Sequence, residues 1–182
     1  MKKILLLIFI LTASFLCTAC INNLAIQELN QMGKDYLDKG DYNNAIARFQ
    51  SSVDLNENVF ESRYNLGVAY INKEEYKNAI EHLKKAVEIN PSSSDAYYSY
   101  AVALESEGLK FEKNEFDENE QNKEEYTEEE IEICLKNVKE AVEMYEKYIE
   151  LNPNANDTEH VKEHIKELNL KIEQNGNNGG EE

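Results

Sequence analysis

His160 and His164 stand four residues apart, a spacing that presents both from one face of a helix and could share a metal ion between them. A metal site needs a third ligand. None accompanies them, so the pair reads as part of a solvated helix face. Cys134, in IEICLKNV, is by type a nucleophile or a redox thiol, but Ile133 and Leu135 on either side make it a small core residue. Between Leu109 and Lys136 stand eleven acids and four lysines, without the alternating Asp/Asn and the Gly of a calcium loop. The chain has no Gly-rich phosphate loop, no activated Ser or Cys beside a His, and no His-Glu-x-x-His. The reading is of a protein that is not an enzyme, with no catalytic residue, no metal and no cofactor expected.

Composition narrows the field further. The 182 residues carry 36 acids against 19 basic residues, a formal charge of −17, which excludes general nucleic-acid binding and disfavours a polybasic membrane surface. With 41% hydrophobic residues the chain can build a core, and only 7 Gly and 2 Pro favour helices over a β-sandwich.

The first residues read as an address. Met1-Lys2-Lys3 precedes an apolar run, Ile4–Leu16, that is too short to cross a bilayer core of about 30 Å and suits the h-region of a secretory signal. Cys17-Thr18-Ala19-Cys20 follows. Small residues directly before a cysteine resemble the lipobox of bacterial lipoproteins, although Cys17 departs from the usual Leu. The resemblance implies a signal peptide over 1–19, cleavage before Cys20, and a lipid on Cys20 that anchors the protein to a membrane on the extracytoplasmic side of a bacterial envelope. Loss of Lys2 and Lys3 would take the charge from −17 to −19 and leave Cys134 as the sole thiol, so no disulfide framework is expected.

Behind a short linker (20–25) the chain repeats itself. An offset of 34 aligns Gly33 with Gly67, Tyr36 with Tyr70, Tyr42 with Tyr76, Asn44-Ala45-Ile46 with Asn78-Ala79-Ile80, and Asn56 with Asn90. A third unit is split. Tyr98, Val102 and Ala103 match the second unit at 34, whereas Ala141, Val142, Ile149 and Asn152-Pro153 match it at 62. The difference of 28 is an acidic insertion, 109–136. Its second half opens with Thr127-Glu128-Glu129-Glu130, a capping box that starts a helix running to about Glu150. The first half is polar and reads as an excursion.

These residues resemble the tetratricopeptide repeat (TPR), with YNLGVAY (Tyr64–Tyr70) and NPSS (Asn90–Ser93) close to its consensus. The resemblance implies an all-α solenoid of helix pairs: 26–59, 60–93 and, with its insertion, 94–155. Close approach of two helices at Gly33 and Gly67 follows from the pattern. Ala101 in place of that Gly, and Tyr148 in place of Ser52 and Ala86, lead us to expect looser or shifted packing in the third unit. Val161, Ile165, Leu168 and Ile172 form one apolar stripe, which makes 156–174 a capping helix before a disordered tail, 175–182.

The resemblance also implies a binding role. The first helices of successive TPR units line a groove for a peptide or partner protein. Carried over position by position, that groove comprises Asn30, Lys34 and Leu37 from unit one, Tyr64, Asn65, Val68 and Ile71 from unit two, and Tyr98, Ser99, Val102 and Glu105 from unit three. The TPR subtype that clamps the C-terminal carboxylate of chaperones needs cations in its third unit, where this chain has Asp95 and Ser99. That subtype is rejected, and the charge of the acidic insertion points to a basic partner surface. The expected role is a membrane-anchored adaptor, with a homo-oligomerising structural lipoprotein as the alternative and an acidic cation-sequestering surface protein as a third reading. No small-molecule substrate is expected.

Overall fold

The computed structural model describes residues 22–110 and 126–177, all of whose regular structure is helical. Residues 22–37 form α1, followed by α2 (Tyr42–Leu55), α3 (Phe60–Asn72), α4 (Tyr76–Ile89), α5 (Ser94–Gly108), α6 (Glu128–Leu151) and α7 (Thr158–Asn177). The expected signal peptide (1–19), Cys20, residues 111–125 of the insertion and residues 178–182 lie outside the described residues. Helix α1 is already formed at residue 22, where the sequence suggested a linker to 25, and α7 runs three residues into the expected tail.

Backbone hydrogen bonds repeat at the sequence offsets. The amide of Asp41 donates to the Tyr36 carbonyl (2.9 Å), and 34 residues later Glu75 donates to Tyr70 (3.0 Å). Between these helices the left-handed turn position is taken by Gly40 (φ 72°) and then by Glu74 (φ 61°). At the far end of each pair Asn56, Asn90 and Asn152 donate to Ser52, Ala86 and Tyr148. The third of these bonds ends α6 at the asparagine that the offset of 62 pairs with Asn90. Helix α6 begins with the expected capping box, Thr127 Oγ1 accepting from the Glu130 amide while Glu130 accepts from the Thr127 amide.

Three apolar clusters hold the stack together, each shared between one helix pair and the helix that follows. Phe49, Val53 and Leu66 centre the first, Leu83, Tyr100 and Leu104 the second, and Val138, Tyr145, Val161 and Leu168 the third. Each pair thus buries its open face only when its neighbour is present.

The third unit is shifted rather than loose. At Gly33 an added Cβ would lie 2.4 Å from the Phe49 ring, and at Gly67 2.5 Å from Leu83. In unit three the close approach moves to Gly108, where a Cβ would lie 2.6 Å from Val138 and 2.7 Å from the Cys134 carbonyl oxygen. Ala101 and Val138 are fully buried. Two reciprocal bonds clamp α5 to α6: the Tyr100 hydroxyl donates to Glu140 (2.6 Å) and the Tyr145 hydroxyl to Glu105 (2.8 Å). Tyr148 does not wedge the helices apart, because it is buried and donates to Asp157 at the start of α7 (2.7 Å).

A titratable group lies within the central unit. His82 on α4 is buried, stacks on Tyr70, and accepts a hydrogen bond at Nδ1 from Arg63 (3.0 Å). Burial first, and the Arg63 charge second, hold the imidazole below its ordinary value. The folded protein therefore resists a proton that the unfolded chain takes up once pH falls below about 6.5. Stability from this group is complete above that pH and declines as pH falls. We expect a lower urea midpoint at pH 5 than at pH 8, with a smaller difference in His82→Phe. An equal difference in both proteins would remove His82 as the cause.

Candidate functional site

Helices α1, α3 and α5 are the inner members of the three pairs, and residues 34 apart on them occupy equivalent places. The groove residues read from the sequence do not all remain available there. Asn30 is 3% exposed and donates to the Ser62 hydroxyl (2.9 Å), which in turn shares a hydrogen bond with Ser52 (2.8 Å). It links the two helices through its amide nitrogen, while its Oδ1 has no hydrogen-bond partner among the described residues. Asn65 is also buried. Lys34 is ion-paired with Glu61 on the next inner helix, both side chains being about half exposed.

At the other end, the capping helix uses two of the expected positions. Val102 packs against the cluster that α7 completes. Glu105 Oε2 accepts from the Tyr145 hydroxyl and from His164 Nε2, each at 2.8 Å. His164 is thus a docking residue of α7, with its ring edge against Tyr145, and not part of a solvated face; His160 is exposed as expected. Among the described residues, no three potential metal ligands come together. Cys134 is half-buried, and burial pushes its thiol pKa up, against a reactive thiolate.

The residues left on the open face are Leu37, Tyr64, Val68, Ile71, Tyr98 and Ser99, with the Lys34–Glu61 pair at one end. Tyr64 is half-buried and stacks on Phe60 at 5.8 Å. Leu37 and Ile71 are half-buried against the first and second clusters. Tyr98, its repeat equivalent on α5, is 39% exposed and held edge-on by Tyr145 (5.6 Å) and Tyr148 (5.2 Å). Fixed aromatic rings of this kind offer contact area at little conformational cost. Glu61 was not picked out by sequence reasoning, although its equivalence to Asp95 at the offset of 34 was there to be read.

Four stretches of the chain match profiles of one family: residues 33–74, described as TPR repeat, and 60–93, 82–125 and 133–155, described as tetratricopeptide repeat. The chain is built from tetratricopeptide repeats. The last match starts within α6, beyond the insertion, in agreement with a third TPR unit resumed after an interruption. No curated protein matches the sequence. Among solved structures, the first TPR domain of human RPAP3 is 20% identical, with 82% of this chain and 95% of that one covered and a TM-score of 0.60. The Arabidopsis OM64 TPR domain is 16% identical, with 80% and 98% covered and a TM-score of 0.61. The first TPR of Spaghetti (RPAP3), bound to the HSP90 peptide SRMEEVD, is 19% identical, with 82% and 94% covered and a TM-score of 0.59. At these identities the likeness is one of fold. No described helix is long and apolar enough to cross a membrane.

Proposed function

We propose that this TPR protein is a protein-interaction adaptor of the bacterial envelope, anchored through a lipid on Cys20 and binding a peptide or partner protein along the inner face of α1, α3 and α5. The observation that carries the binding role is the pair of equivalent tyrosines, Tyr64 and Tyr98, on adjacent inner helices of a TPR stack. The solved relatives that hold HSP90 or HSP70 peptides support a peptide as the ligand type. An acidic tail such as EEVD does not suit this groove, because Asp95 and Ser99 occupy the places where a carboxylate would need cations. A basic partner surface fits the charge of −17.

Envelope crosslinking followed by co-purification tests both halves. Tyr64→Ala should reduce capture of the partner about tenfold or more while the protein stays in the membrane fraction. Cys20→Ala should retain the groove but abolish the acyl mass and the membrane association. Partner capture unchanged by Tyr64→Ala would remove the groove, and a mature N-terminus elsewhere without a lipid would remove the anchor.

A further inference from the structure

Glu61, Asp95 and Asp157 recur at offsets of 34 and 62, the spacings that relate the three units. Glu61 and Asp95 are the second residues of units two and three, in the first turns of α3 and α5, and Asp157 stands directly before α7, the capping helix. Glu61 is neutralised by Lys34 from the preceding inner helix. The equivalents of Lys34 are Val68 and Val102, so the second and third junctions keep the acid and lack the cation. Among the described residues, neither Asp95 nor Asp157 is ion-paired with a lysine or arginine.

Between these two junctions stands Tyr98. Its ring meets Tyr148, whose hydroxyl donates to Asp157. The Tyr148 hydroxyl pKa is pushed up to about 12 by that bond, then by burial and by the Asp157, Tyr98 and Asp95 charges, so both carboxylates act on one small region. An exposed aromatic face beside unneutralised carboxylates suits a Lys or Arg side chain, which gains from the ring as well as from the acids.

We propose that the groove takes an extended basic segment with two cationic side chains about three residues apart, one paired with Asp95 and one with Asp157, over Tyr98. The spacing follows from the path that joins the two acids, in which the Tyr98 and Tyr148 rings stand 5.2 Å apart and the Tyr148 hydroxyl reaches Asp157 at 2.7 Å, set against an extended chain rising about 3.3 Å per residue. The partner thereby supplies the cations that Lys34 supplies within the chain at the first junction. The inference rests on the groove reading above and gives it a ligand chemistry.

Fluorescence anisotropy of the full chain with labelled dodecapeptides tests it. The probes carry two arginines separated by two residues, by none or by six, in a neutral Ser/Ala background, with a citrulline version of the first. The two-residue spacing should bind at least tenfold more tightly than the citrulline version and severalfold more tightly than the other spacings, with affinity falling as salt rises. Asp95→Asn and Asp157→Asn should each weaken it about tenfold, while Glu143→Gln, an exposed acid on α6, should not. Val68→Lys rebuilds the Lys34–Glu61 arrangement at the second junction and should compete with the peptide, lowering its affinity. Circular dichroism confirms that each variant is folded, and the Asn variants leave the core untouched. Equal binding of the arginine and citrulline peptides, or binding indifferent to Asp95→Asn, Asp157→Asn and Val68→Lys, overturns the proposal. If those variants are silent while Tyr64→Ala still abolishes capture of the cellular partner, the groove stands and only the cation chemistry falls.

Discussion

Gly108→Ala is expected to destabilise the protein by about 2–3 kcal/mol, although it adds one methyl group to a helix. At an unobstructed helix interior the same change would stabilise by up to about 1 kcal/mol. Here the gain is small, because Gly108 is the last residue of α5. Against it stands the obstruction on α6. The new Cβ would lie 2.7 Å from the Cys134 carbonyl oxygen and 3.0 Å from the Val138 amide nitrogen, as well as 2.6 Å from a Val138 methyl. A side chain can rotate away from such a contact, whereas main-chain atoms can give only if the helix moves. At Gly67 the three nearest atoms to a new Cβ all belong to the Leu83 side chain, which is fully buried but has rotamers to search. The order of urea midpoints should therefore be wild type, Gly67→Ala, then Gly108→Ala. A Gly108→Ala midpoint at or above that of Gly67→Ala would show that α6 shifts freely, and that the third unit is loose after all.

That glycine marks the boundary of what the sequence made legible. The repeat offsets could be read because a solenoid is held by contacts between consecutive units, so Phe49 with Gly33 and Leu83 with Gly67 recur as pairs at 34. The stripe of Val161, Ile165 and Leu168 was equally plain, since a capping helix buries one periodic face. Gly108 gave no such signal, because its partner lies across an insertion with no counterpart in the other units. The Glu105–His164 bond joins residues 59 apart and depends on how α7 is rotated, which no periodicity encodes. The bond made by Asn30 was hidden for a different reason. Its position is a groove position, but Ser62 offers a buried hydroxyl at 2.9 Å, and a buried amide takes such a partner.

The capping helix provides the second large effect. Leu168 is 1% exposed within the cluster formed by Val138, Val142, Tyr145, Val161 and Ile165. Truncating a leucine in such a place costs about 2–5 kcal/mol, and Leu168→Lys adds a buried charge to that loss. Helix α7 is the last of the described helices, however, and its packing is confined to the third unit. It can leave without unfolding α1 to α4, so the loss is limited to whatever holds the cap in place. We expect Leu168→Lys to release α7 rather than to melt the whole stack. Freed of the cap, Glu105 loses His164, and the buried faces of Tyr145 and Val142 meet water. Hydrogen exchange should show α7 unprotected and the end of α5 weakened, with α2 and α3 nearly unchanged, and the protein should associate through its newly exposed apolar end. Uniform loss of protection from α2 to α7 would mean that the repeats fold as one unit, and that the cap stabilises the whole solenoid rather than its last pair.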